Sequence, residues 1–219
     1  MPLIAPDSRR PWLIAAALAL IGVLVWTFLH THDHLTWLLE VFPALIALPL
    51  LAATHRRYPL TTLLYVGIFW FTIVLMIGGQ YTYAKVPLGF WVQDWLGLQR
   101  NPYDKLGHFM QGVVPALAAR EILLRGAHVR GPKMLAFLVL CVVMAISATY
   151  ELIEWTAAVL LGQSADDFLG TQGDPWNTQS DMAFAGLGAI VMLGLLRRMH
   201  DRQIGWLRTK GLAPSNTPS

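Results

Sequence analysis

The chain has 219 residues, of which 55% are hydrophobic and 13% charged, with a mean hydropathy of +0.50 and a formal net charge of +3. A soluble domain of this length would carry about twice that charged fraction, so the composition excludes a sizeable soluble domain and indicates an all-α, polytopic membrane helix bundle. Lys and Arg cluster at the ends of apolar segments, which is membrane orientation rather than nucleic-acid binding, and no nucleic-acid partner is expected.

A spanning helix needs about 20 mostly apolar residues, and six segments qualify: 12–29, 35–52, 60–79, 104–124, 134–161 and 181–199. Together they predict one six-span domain over 1–210, followed by a disordered tail at 211–219. The first run, Trp12 to Leu29, is long for the apolar core of a signal peptide, and no small-x-small cleavage site follows it, so it reads as a retained span. His30, His32 and His34 with Asp33 then form a short polar turn, better read as solvated than as a metal site.

Between the third and fourth spans, Trp91, Trp95 and Leu98 recur at i, i+4 and i+7. Residues 87–99 therefore form either a short amphipathic helix lying in the interface or a Trp-rich loop. The fourth span opens with Asp104, His108 and Gln111 on one helix face. Asp-x-x-x-His can hold a metal through both side chains, or the Asp can orient the imidazole for proton transfer. Alternatively, Asp104 is a helix N-cap and His108 bonds a neighbouring span.

In the fifth span Cys141, the only cysteine, reads as a small buried apolar residue and allows no internal disulfide. Further on, Glu151 and Glu154 stand at i, i+3 on one face. Two carboxylates so close require either that one is protonated or that a cation lies between them. The loop to the sixth span, 162–180, carries Asp166, Asp167 and Asp174 without a Lys or Arg. Asp174, Asn177 and Asp181 offer oxygen ligands for a hard cation, though not at EF-hand spacing, and Asp181 could instead cap the sixth helix.

With six spans, 13 of the 16 Lys and Arg fall on one side, leaving Lys85, Arg100 and Lys105 on the other. Both termini are thus expected in the cytoplasm. Asp104, His108, Glu151, Glu154 and Asp181 then lie at or within roughly 15 Å of the outer ends of three helices. Ionisable residues at that depth usually face the bundle interior and mark function. His55, His128 and His200 read as ordinary interfacial residues. Phosphate-binding loops, Gly-x-Ser-x-Gly and His-Glu-x-x-His are absent, so no nucleotide cofactor is expected.

The stretches Tyr103-Asp104-Lys105-Leu106-Gly107-His108-Phe109, Tyr150-Glu151-Leu152-Ile153-Glu154-Trp155 and 170–182 resemble the YjdF-type family of bacterial inner-membrane proteins. The likeness runs from about the third span to about residue 200. It implies a multi-pass inner-membrane location. The family pattern often has aspartate where Asn177 stands, so one ligand charge is missing here. More remotely, the order of His, Glu-x-x-polar and Asp resembles VanZ-like membrane proteins. Neither family brings a settled reaction.

Three readings follow. In the first, one divalent metal ion, held among Asp104, His108, Glu151, Glu154 and Asp181, assists hydrolysis or transfer on a lipid-linked or amphipathic envelope substrate. There His108, Glu151 or Glu154 serves as general acid or base, and Gln111, Gln172, Asp174, Asn177 and Gln179 bind the substrate. In the second, the same carboxylates carry a proton or cation in a transporter or ligand-binding protein. In the third, the charges are a structural network. The expected partners are membrane lipids and this substrate.

Overall fold

The structure is a computed structural model that describes residues 6–161 and 171–212. The acidic pair Asp166 and Asp167, and the tail beyond residue 212, lie outside the described residues. Among the described residues the fold is entirely helical. In chain order the helices are α1 (Pro6–His30), α2 (His34–Thr54), α3 (Thr62–Tyr81), α4 (Pro87–Leu96), α5 (Tyr103–Arg125) and α6 (Pro132–Leu161). α7 (Asn177–Val191) then passes through a π turn (Met192–Leu196) into α8 (Arg197–Thr209).

Local chemistry sets the helix ends. Asp33 caps α2, its carboxylate accepting from Leu35 N at 2.9 Å and from the Thr36 hydroxyl at 2.7 Å. The Thr61 hydroxyl accepts from Leu64 N at the start of α3, and left-handed Thr82 closes that helix. Gly97, at φ +63°, ends α4, where a residue with a side chain would be strained.

Five helical segments are long and apolar enough to cross a membrane: Arg9–His30, His34–Thr54, Thr62–Tyr81, Pro132–Leu160 and Asn177–Thr209. α5 has spanning length at 23 residues but is too polar to stand against lipid. It is the central helix, packed against α3, α6 and α7, and it buries Asp104, His108, Gln111, Arg120, Glu121 and Arg125. A helix enclosed by other helices need not be apolar all round, so its polar side chains are spent on neighbours rather than on lipid. The outward faces of α1, α2, α3, α6 and α7 carry exposed Trp12, Leu18, Ile46, Trp70, Phe137 and Ile190.

α4 is the short amphipathic helix anticipated from spacing, with Trp91 and Trp95 left 71% and 83% exposed. Cys141 corrects an expectation: it is exposed on the outer side of α6 rather than buried. In a membrane protein an apolar run does not distinguish a lipid-facing position from a core position.

Two apolar clusters fill the interior. One joins α3, α5, α6 and α7 through Leu64, Leu117, Val139, Ala185 and Met192. The other joins α2 and α3 to the segment after α3 and the start of α5 through Trp37, Val41, Met76, Tyr83 and Tyr103. α5 and α7 meet most closely where Gly112 and Gly188 face each other. A Cβ on Gly112 would run into the Ala185 carbonyl, and one on Gly188 into the Phe109 carbonyl. Small residues let helix backbones approach this closely. The contact fixes the register that the site depends on.

Candidate functional site

From the Gly112–Ala185 contact, one turn back along α5 is His108 and one turn back along α7 is Asp181. The close crossing thus aims both at the same point. Asp104, one further turn along α5, joins them, and one ligand-type atom from each of Asp104, His108 and Asp181 lies within 4.8 Å of the others. All three are buried. Neither Asp is a cap: the cap positions belong to Pro102 and Trp176, and α7 begins at Asn177, four residues earlier than the sequence pattern places its span.

His108 Nδ1 lies 3.0 Å from Gln111 Oε1, the carbonyl oxygen of that amide, so Nδ1 carries the hydrogen and donates it. Nε2 is then directed at Asp104 Oδ1, 3.4 Å away, and Asp181 Oδ1, 3.6 Å away. Three electron-rich atoms converge. Such a convergence is favourable only with positive charge beside it, from a proton on Nε2, a metal cation or a neighbouring ammonium. Lys105 supplies further positive charge. Its Nζ is 2.5 Å from Asp181 Oδ1, 3.0 Å from Asn177 Oδ1 and 3.4 Å from Asp104 Oδ2.

Glu151 reaches the cluster from α6, with Oε1 3.9 Å from His108 Nδ1. Its carboxylate is buried, with Thr178 on α7 its nearest hydroxyl donor and no closer hydrogen bond to either oxygen among the described residues. Glu154 lies one turn along the same face, buried, with the acidic Glu151 and Glu40 as neighbours, but outside the three-donor cluster.

The segment between residues 171 and 181 is held over this cluster by Arg100 and Asn101. Arg100 donates to Thr171 O at 3.1 Å and Asn177 Oδ1 at 2.7 Å, and pairs with Asp174 at 2.8 Å. Gln172 forms a two-way pair with the Asn101 backbone, both bonds 3.0 Å. Asp174 also accepts from Trp176 N at 2.9 Å, and the Asn177 amide donates to Asp181 Oδ2 at 2.6 Å. Gln172, Asp174 and Asn177 are thus engaged in positioning α7. Gln179 is exposed on α7, away from these bonds.

Residues 12–202 match the model of a family described as a predicted membrane protein (DUF2238). The chain belongs to that family. It is also 66% identical over 189 residues to the inner membrane protein YjdF of Escherichia coli (strain K12), covering 86% of this chain and 90% of that protein. No solved structure matches. This member of the family is a multi-pass inner-membrane protein with a buried Asp/His cluster.

Sequence reasoning missed several participants. Lys105 and Arg100 count there only toward orientation, yet they bind the acidic residues directly. Glu40 is a lone buried acid within the apolar α2, accepting from the Tyr150 hydroxyl at 3.2 Å. The same rule that singles out Glu151 would have found it. His200 is not an ordinary interfacial residue. It is fully buried between Arg120 and Glu121, with Arg120 Nη1 3.1 Å from Nδ1 and Glu121 Oε2 3.2 Å from Nε2.

Proposed function

We propose that Asp104, His108 and Asp181 form a divalent-cation site, with Glu151 as an additional donor, in which the Lys105 ammonium holds the carboxylates together when no metal is bound. The observation that carries this is the convergence of Nε2 with two buried carboxylates, beside which a third buried carboxylate, Glu151, keeps acceptor capacity open. Carboxylate and imidazole donors suit a borderline or hard divalent ion. The donors come from three helices, and the α5–α7 crossing leaves little freedom to spread them.

The reaction that fits is metal-assisted hydrolysis or transfer on a lipid-linked or amphipathic substrate. A bound ion would polarise a phosphoryl or acyl oxygen. Glu151, with open acceptor capacity, is the general base, and Glu154 lies behind it. Gln111 fixes the tautomer of His108. In this reading Gln179, exposed on α7, would contact the substrate, while Gln172, Asp174 and Asn177 shape the segment before it.

For topology we propose six crossings, α5 included, with both termini in the cytoplasm and the site facing outward. The basic ends gather at one end of the bundle, where Arg9 donates to Leu60 O at 3.1 Å and Arg125 to Pro59 O at 2.7 Å. The test is elemental analysis of protein purified without chelator, beside Asp104→Asn and Asp181→Asn. One equivalent of a divalent ion in the parent and its loss from both variants, with folding retained, is the expected result. Metal-free parent protein that takes up protons with a ligand in liposomes would move the assignment to coupled transport. That second reading draws on the polar row from buried His108 and Glu151 through half-buried Tyr150 to buried Glu40.

A further inference from the structure

The opposite end of α5 carries a second polar centre that the proposed site does not use. Glu121 accepts from the Thr61 hydroxyl at 2.7 Å, Thr61 N at 3.1 Å and Arg125 at 2.8 Å, and it meets His200. Beside this network, Arg120 points toward α8 and pairs with Asp201 at 2.5 Å.

A cavity of about 340 Å3 opens next to Arg120. Leu124, Leu135, Ala136 and Leu193 make its apolar wall, and Arg120 and Arg197 its basic edge. The Asp201 charge is taken by Arg120, whereas Arg197 has no ion pair or hydrogen bond among the described residues. Arg120 is buried, and its Nε–H has no acceptor among the described residues. A buried guanidinium N–H without a partner is costly, and the side chain that carries it is one of those lining the cavity. The π turn at Met192–Leu196 supplies Leu193 to the wall and delivers Arg197 to the rim. Single π turns within helices occur often at functional sites.

We infer that this cavity binds the phosphate headgroup of an anionic phospholipid, with Arg120 Nε and the Arg197 guanidinium as donors. Guanidinium groups suit phosphate oxygens, and basic pockets between membrane helices are a known form of headgroup site. The volume admits a headgroup and glycerol but not acyl chains. Those chains would leave along the exposed apolar surface of Met134, Phe137 and Leu195, which adjoins the wall in sequence. The apolar surround is what favours a lipid over free phosphate. None of these residues belongs to the Asp104–His108–Asp181 cluster, so the two proposals stand or fall separately.

The experiment is thermal unfolding of the full chain in neutral detergent with added phosphatidylglycerol, phosphatidylcholine or free glycerol phosphate. Native mass spectrometry of retained lipid runs in parallel. Phosphatidylglycerol should raise Tm by several degrees more than phosphatidylcholine and stay bound in the gas phase. Arg197→Gln and Ala136→Trp should abolish that difference while leaving the lipid-free Tm near the parent value. Arg202→Gln removes an equal charge outside the cavity and should keep it. Equal shifts with both lipids, an equal loss in Arg202→Gln and Arg197→Gln, or a full shift from glycerol phosphate alone would each overturn the assignment.

Discussion

The Lys105 ammonium lies 2.5 Å from the carboxylate of Asp181, a side chain with no solvent exposure, and so links α5 to α7 through a buried ion pair. Such a pair adds little net stability by itself, but removing one partner leaves a charge stranded out of water. The electrostatics of the whole cluster therefore turn on which cation stands beside Asp181 and Asp104.

Lys105→Met tests this directly. In chelator the variant should unfold about 3–5 kcal/mol more easily than the parent, the usual result of stranding one member of a buried pair. Adding Mn2+ or Zn2+ should recover a large part of the lost Tm, because a divalent ion can neutralise both carboxylates. An equal response of parent and variant to metal, read by thermal unfolding in detergent, would count against a cation site there.

The α5–α7 crossing gives a second prediction. Gly112→Val places its side chain against the backbone carbonyl of Ala185, which cannot turn aside as a flexible side chain can. Overpacking of this kind costs about 1–3 kcal/mol or more, and it would also separate His108 from Asp181. Gly205→Ala is the control, since none of the described residues lies within 4 Å of a Cβ there and the helical position favours alanine by up to about 1 kcal/mol. Detergent-stable yield and Tm should fall for the first variant and hold or rise for the second.

The division between what is legible in the sequence and what is not follows from the physics of lipid. Apolar runs bounded by charges mark the long helices other than α5, because both lipid-facing and core positions are apolar. α3, for instance, is expected at 60–79 and runs Thr62–Tyr81. The same fact hides the difference between the two kinds of position, which is why Cys141 reads as buried and stands exposed. Asp104, His108 and Asp181 stand out because an ionisable group within a span needs a reason. Lys105 and Arg100 do not, since a basic residue near a helix end already has one in membrane orientation. Their contacts depend on the start of α7 at Asn177, which rests on tertiary bonds such as Arg100 to Asn177 and Gln172 to Asn101 rather than on a local cap.

Glu121 escapes notice for a similar reason, lying between Arg120 and Arg125 near a helix end. It is fully buried and receives bonds from Thr61, Arg125 and His200. Glu121→Gln removes the charge facing Arg125 and His200 while nearly keeping shape. A loss of about 3–5 kcal/mol is expected, with the largest increase in hydrogen exchange at the start of α3 and the start of α8. Asp94→Asn is the matched control: it removes one negative charge from an exposed position on α4 and should leave stability within about 0.5 kcal/mol.

Asp33 provides a pH-dependent prediction outside the spans. The Thr36 hydroxyl, its strongest influence, and the Leu35 N–H hold its carboxyl below the ordinary value of 3.8. A folded-state pKa below the unfolded one means that the cap stabilises fully above the unfolded value and loses its contribution as pH falls through the folded one. At pH 7, Asp33→Ala should cost about 0.5–2 kcal/mol, the range for loss of an N-cap. The gap between parent and variant should stay constant from pH 7 to about pH 5 and narrow steadily below about pH 4. Paired unfolding curves across that range check it, and a gap that widens toward acid would contradict the cap's role.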